Sequence, residues 1–593
     1  MTALFLRRFV DNDLLSPHAD RHESLAVLYA CVVSLAVFVT FLLSTTYLSA
    51  FIQLPGTAAL SALGDRFLYI GGSVTITALA ALMAWDALAL EPRDAAILGP
   101  LPIPARTITR AKLAAAIISG ALLTVGLNAV PSVLYPLFLT LNIRGTQGST
   151  VVRLIGGHAA TVAMAGCFGF FGILALRGTL RLLLGERRFH RVSSGVQSVL
   201  VVGMVTGLLL VPTVRSHELQ AWTMRTTPPA WAARPVLWYL AFNETVAGHL
   251  VCEIPVVLPP RFSSASYPKQ EDRLARASYR LLLPRFAELA PLAWLALLGV
   301  TSVAFVTFLW TNRRYPGPSV SVLAQSRLGA WVRRLVERRT SEDPEAEAGF
   351  FFALQTLARS GPHRTIVAIA VAIGLTHMLI VLAQRQAPAV EPAAPLGAFG
   401  IAILLLASLL AGFSRAVAVP AEPAANWMIR SAWLGDDRRF LAGVKRAALA
   451  ALVAVPLIVL LPLHVLLLGV VTALAHTLFA LCFAILAMEA LFLPYRKFPF
   501  ACSYVPVENP KIVWPAALVG LLLVTYGYAG LERWALQTPA RTTALGAALV
   551  VMVLFVKAVD RVWRRERRPI VFDDRPRQAT QRLDLFEGVA IYE

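Results

Sequence analysis

Apolar runs of about twenty residues recur along the whole chain, and they leave few folds open. A helix of that length crosses roughly 30 Å of hydrocarbon, and in lipid every backbone polar group has to find its partner inside the segment. A closed barrel would instead show ten-residue segments of alternating hydrophobicity; the sequence has none. It predicts an all-α polytopic membrane protein with about twelve transmembrane helices, near 25–50, 67–90, 113–140, 154–176, 195–213, 289–311, 365–384, 397–419, 446–467, 470–493, 512–530 and 541–562. No charge interrupts the join between 446–467 and 470–493, which predicts a tight hairpin there. The composition agrees, with 57% hydrophobic and 15% charged residues among 593.

Positive charge near span ends stays on the cytosolic side. With residue 1 inside, most of the 54 Lys and Arg are cytosolic. Those left outside lie mainly in the loop 214–288, and loops of that length translocate largely regardless of charge. The expected topology has both termini cytosolic, in a bacterial inner membrane. The formal charge of +20 then calls for no nucleic acid. Arg187, Arg188 and Arg191, Arg313 and Arg314, Arg333 to Arg339, and Arg564 to Arg568 all border a cytosolic face, where anionic lipid attracts each basic residue by about 1 kcal/mol. The bilayer is the expected partner of these clusters.

The first apolar run is too long, and begins too late, for a cleavable signal, so 1–24 reads as a cytosolic amphipathic elbow. Of five cysteines, Cys31, Cys167 and Cys482 fall within spans and Cys502 in a cytosolic loop. Only Cys252 is expected outside, so no external disulfide within the chain and no metal-type spacing is predicted.

Two stretches look like copies of one device. A span ends on Glu91-Pro92 and another, about 330 residues later, on Glu422-Pro423. Each is followed by about twenty residues and a basic opening to the next span, at Lys112 and at Lys445-Arg446. Upstream, LLSPHADRHES precedes the first span and LARSGPHRT the seventh. Glu391-Pro392 lies outside this pattern, so the dipeptide carries weight only through its repeated topological position. The pattern predicts two six-helix halves of like orientation: 25–312 with external loop 214–288, and 365–562. A cytosolic linker at 313–364 joins them, packed at the membrane surface because it cannot bury a core of its own. A charged tail follows at 563–593.

Ion-driven transport needs ionisable groups in mid-membrane, which are kept only for function. By this reading they are nearly absent: Asp86, Arg415, Glu489 and Lys557 can snorkel from span ends, and His158, His377, His464 and His476 read as hydrogen-bonded packing. The chain also has no phosphate loop of the G-x-x-x-x-G-K-[ST] type. A transporter with neither source must borrow its energy.

The segment EPRDAAILGPLPIPARTITRAK, from Glu91 and Pro92 through Leu98, Leu101 and Pro102 to Arg106 and Lys112, resembles the cytosolic coupling segment of ABC-2 type exporter permeases. The resemblance covers about 110 residues of the first half. It implies a membrane subunit, not an enzyme, docked on a separate nucleotide-binding ATPase subunit. It also implies no cofactor in this chain, with ATP and magnesium held by that partner. The second copy, EPAANWMIRSAWLGDDRRFLAGVKR, lacks the Leu-Pro-x-Pro run. Glu422, Pro423, Trp427 and Arg438 are its coupling candidates, expected to matter less.

Pro131 and Pro136 and, in the second half, Pro456 and Pro462 should kink the spans that follow these loops and act as hinges. Gly203-x-x-x-Gly207 allows a close helix contact. In the outer loop, Trp231, Trp238, Tyr239 and Phe242 suit an interfacial helix. His249 and Glu253 share a helical face but lack a third metal ligand, and Asn243-Glu-Thr245 is a formal glycosylation sequon. Two other classes stay open: an ion-coupled secondary transporter, and a membrane-embedded enzyme built on 214–288 with Glu244, His249 and Glu253.

Overall fold

The structure, a computed structural model, describes residues 54–85, 103–224, 233–257, 266–311, 343–385, 396–421, 437–493, 497–502 and 510–566, with isolated positions elsewhere. Among the described residues it is all-helical, without strands, and ten helices are long and apolar enough to cross a membrane. The chain divides into two compact units, Met1–Leu323 and Ala324–Glu593, with five of the ten in each. The expected span 25–50 lies outside the described residues apart from isolated helical positions. The expected span 512–530 coincides with helix Pro510–Ala535.

The first unit comprises α1 (Pro55–Met83), α2 (Ala105–Leu141), α3 (Gly148–Leu210), α4 (Ser216–Met224), α5 (Ala233–Asn243), a π-turn (Glu244–Gly248), α6 (Leu250–Glu253) and α7 (Ser266–Thr311). Helix α1 starts at a proline, which suits the first helical turn, well ahead of the expected residue 67. Asp65 and Arg66 depress its hydropathy, yet they sit inside it. Helix α3 is broken at Gly185, whose φ of 68° favours glycine. That break separates the two spans that the sequence predicts there.

Small residues let α1 lie against α3. A side chain on Gly169 would come within 2.3 Å of the Val74 carbonyl oxygen. Hydroxyls then bridge the helices: Ser73 Oγ donates to Val162 O at 2.8 Å and Thr77 Oγ1 to Gly166 O at 2.8 Å, while Asn128 of α2 donates to Ser73 Oγ at 2.9 Å. Without a hydrophobic driving force between helices in lipid, such contacts supply association. The Gly203-x-x-x-Gly207 pair does not take this role, since Gly203 faces open space and Gly207 meets only Thr75, at 3.8 Å.

The second unit comprises α8 (Pro344–Arg359), α9 (Gly361–Arg385), α10 (Leu396–Ala418), α11 (Asp437–Ala448), a π-turn (Leu449–Ala454), α12 (Val455–Leu468), α13 (Val470–Phe492), α14 (Pro510–Ala535) and α15 (Pro539–Glu566). The predicted hairpin is present: Gly469, with φ 82°, caps α12 and opens α13. Helix α8, from the expected linker, packs on α11 and joins a core with Phe440, Phe498 and Phe500. It therefore has a partner in the bundle, although 313–364 alone is too short to bury a core.

Candidate functional site

Both Glu-Pro segments leave and rejoin their units through fixed anchors. The first departs after Trp85, which is 1% exposed. Its indole donates to Ser193 Oγ at 2.8 Å, and the Arg177 guanidinium lies 5.7 Å from its ring. The chain returns at Pro104 and Ala105, where α2 begins. Arg106 and Arg110, one turn apart, are exposed, whereas Ile108 and Lys112 are buried. Arg106 is thus on an open face, and Lys112 belongs to the interior. Glu91, Pro92, Leu98, Leu101 and Pro102 lie outside the described residues, as do Glu422, Pro423 and Trp427.

In the second unit the departing strand of chain is stitched down. Phe500 N donates to Val417 O and Ala421 N to Phe500 O, at 2.9 and 2.8 Å, and Tyr495 donates to Val417 O at 3.1 Å. Phe500 adopts a φ of 59°, an uncommon value for a non-glycine residue, and is held there between Phe352 and His363. On return, Arg438 and Arg439 are exposed and Phe440 is buried. Lys445, the counterpart of Lys112, binds Glu489 Oε2 at 2.5 Å and Asp560 Oδ2 at 3.5 Å. It ties α11 to the ends of α13 and α15, so Glu489 is an ion-pair partner rather than a snorkelling surface group.

Two buried clusters bring ionisable side chains together that the sequence does not pair. In the first unit Arg66 Nη1 donates to Glu244 Oε2 at 2.6 Å, with side chains 2% and 0% exposed. Tyr279 Oη donates to the same oxygen at 2.5 Å. Tyr69, Tyr135 and His158 form a ring cluster with centroids 4.9–5.5 Å apart. Glu244 opens the π-turn, where a side chain on Gly248 would meet its carboxylate at 2.3 Å. π-turns concentrate at functional sites. The segment expected as an interfacial helix is helical, but Tyr239, Leu240, Asn243 and Glu244 are buried against α1, α3 and α7. Arg276 of α7 binds the carbonyls of Cys252 and Ile254, and Asp272 accepts from Gly56 N at 2.7 Å.

Burial pushes the Cys252 thiol up from its ordinary range. In a variant retaining only this cysteine, maleimide labelling at neutral pH should run at least about tenfold slower than for a free exposed thiol, because the thiolate is the nucleophile. Adding Glu244→Ala should accelerate it; labelling already fast in the parent would contradict this packing.

In the second unit His476 Nδ1 and Glu532 Oε1 are 2.6 Å apart, both side chains 0% exposed. The His464 ring lies 4.7 Å from that of His476. The sequence offers the histidines but not their partner, because Glu532 falls just beyond the apolar run. His249 has no metal-like company; its Nδ1 lies 2.9 Å from Glu244 O. Among the described residues no three His, Cys, Asp or Glu side chains converge as metal ligands. Of the expected hinges, Pro131 lies inside the continuous α2, whereas Pro456 is the second residue after the π-turn Leu449–Ala454. A missing N–H is easily accommodated at such a change of helical pitch.

Comparison with protein-family models, with curated proteins and with solved structures returns no match.

Proposed function

We propose that this chain is the membrane subunit of an ATP-driven exporter of ABC-2 type. It would have twelve spans in a bacterial inner membrane, both termini cytosolic, and work with a separate ATPase that holds ATP and magnesium. The observation carrying this reading is the pair of anchored Glu-Pro segments. Each rises from a buried aromatic or hydrogen-bonded exit and returns beside exposed arginines, Arg106 with Arg110 and Arg438 with Arg439. Fixed exits and basic flanks give a docked partner points through which a push reaches the helices. The missing phosphate loop supplies the need for that partner.

The test is charge reversal at Arg106 and Arg110 in the full chain. The double Glu variant is expected to reduce recovery of an ATP-hydrolysing subunit from native membranes, and ATP-dependent transport with it, by about tenfold or more. Matched changes at Arg438 and Arg439 should have a smaller effect. Full transport by a preparation containing no ATPase overturns the reading.

A second reading, an ion-coupled carrier, is favoured by one observation, the buried His476–Glu532 pair. It predicts that collapsing the ion gradient stops transport while ATP is present.

A further inference from the structure

The His464–His476–Glu532 cluster is a buried set of titratable groups that the exporter reading does not use. Its construction begins with the turn at Gly469, which folds α12 back against α13 and sets His464 opposite His476. Helix α14 brings Glu532 from 56 residues away, one turn before its own end at Ala535. The cluster therefore lies within about two turns of the helix ends at Gly469 and at the 536–538 connection, roughly 10 Å of helix rise. His464 Nε2, His476 Nε2 and Glu532 Oε2 meet no partner among the described residues. Buried polar atoms without partners are rare and call for an explanation.

The charges around the pair are few. Helix α12 contributes His464, and α10 contributes only the Phe399 ring, 5.5 Å from His476; its single charged residue, Arg415, lies at its far end. Helix α13 adds Cys482 and the distant Glu489, which Lys445 holds. Helix α14 adds Tyr528, whose hydroxyl donates to Phe479 O at 2.8 Å, Tyr526, which lies 3.4 Å from His377 of α9, and the exposed Arg533. Helix α15 adds Arg541, stacked 4.7 Å over Trp534, with Lys557, Asp560 and Arg561 towards its other end. No Lys or Arg among the described residues is paired with Glu532.

That arrangement fixes how many protons the closed site holds. Unpaired charge is costly in an apolar interior, so the enclosed pair is stable with no net charge, either as imidazole with carboxylic acid or as imidazolium with carboxylate. Both forms carry the same number of protons. In water near neutral pH a free histidine is largely neutral and a free glutamate ionised, one proton fewer. We infer that this cluster is a proton-binding site: enclosing it draws one proton from water onto the His476–Glu532 pair, and opening it returns that proton to water. His464, whose ring centroid lies 4.7 Å from that of His476, is the titratable neighbour that sets the pH at which this exchange occurs. The inference goes beyond ATP coupling and stands whether or not a separate ATPase docks on the chain.

The experiment is infrared difference spectroscopy of the purified full-length chain in lipid nanodiscs, titrated from about pH 5.5 to 9, where an exposed glutamate stays ionised. Neither ATPase nor substrate is present, so failure here and failure of the exporter reading are separable. The wild type should show a protonation change, in the carboxylic C=O stretch or the imidazolium ring modes, that Glu532→Gln and His476→Gln both remove. His464→Gln should keep the change but shift its midpoint by about one pH unit. Glu532→Asp, which keeps the carboxyl, should retain a titration and shows that loss in Glu532→Gln is not misfolding. Spectra that are identical in wild type and Glu532→Gln across the range overturn the proposal.

Discussion

Arg66→Ala is expected to destabilise the protein by about 3 to 5 kcal/mol, the range found when one partner of a buried ion pair is removed. Arg66 and Glu244 are almost wholly enclosed, so removing the guanidinium strands a carboxylate whose only remaining side-chain donor among the described residues is Tyr279. The same loss should follow Glu244→Ala, which leaves the guanidinium unpaired. A double change to Leu at both positions should recover a large part of it, since a buried pair often contributes little over an apolar one of similar volume. The discriminating measurement is a double-mutant cycle on thermal unfolding of the full chain in detergent. Tyr279→Phe should fall between, at about 1 to 3 kcal/mol, as a buried acceptor loses one of its bonds. Single variants within about 1 kcal/mol of wild type would mean that water reaches Glu244 and that the segment 233–253 is less enclosed than its contacts imply. The pair also has a positional consequence. It ties the π-turn to α1, with Tyr279 adding a tie to α7, so motion of 233–253 relative to α1 has to break it.

Much of the helix plan was legible because it rests on local patterns. Apolar run length located the helices, an uninterrupted run flagged the turn at Gly469, and the basic stretch around Arg187 marked the break at Gly185. The clusters were hidden for a physical reason: their members are assembled from distant segments. Arg66 and Glu244 lie 178 residues apart, and hydropathy, which averages over a window, moved the expected start of α1 past Asp65-Arg66. A signal was available in Pro55 followed by small residues, GTAALSALG, a helix opening of the kind that packs closely. Glu532 was passed over likewise, two residues beyond its apolar run. Arg106 was readable as a surface group from its place in the first turn. Lys112 was not, because its burial depends on which face of α2 turns inward.

The largest effect on the second Glu-Pro segment is expected from Gly443. Helices α8 and α11 cross in backbone contact: a Cβ on Gly443 would lie 1.9 Å from Ala346 O, and one on Gly349 would lie 2.1 Å from Phe440 O. The atoms met are main-chain, so no side chain can swing aside, and even Gly443→Ala must part the helices. Overpacking of this kind costs about 1 to 3 kcal/mol, occasionally more, and Gly443→Val should reach the upper end. Phe440, stacked on Phe498 at 4.8 Å, moves with α11, so the parting should loosen the aromatic core and displace Arg438 and Arg439. Gly203→Val is the matched control, because a Cβ there meets nothing within 4 Å and the change should be near neutral. Limited proteolysis of α8 and unfolding temperature read the difference directly. Equal behaviour of the Gly443 and Gly203 variants would show that α8 is not held on α11. A Gly443 variant that loosens α8 yet transports normally would instead show that the second segment carries none of the coupling, leaving the push to the loop between Trp85 and Arg106.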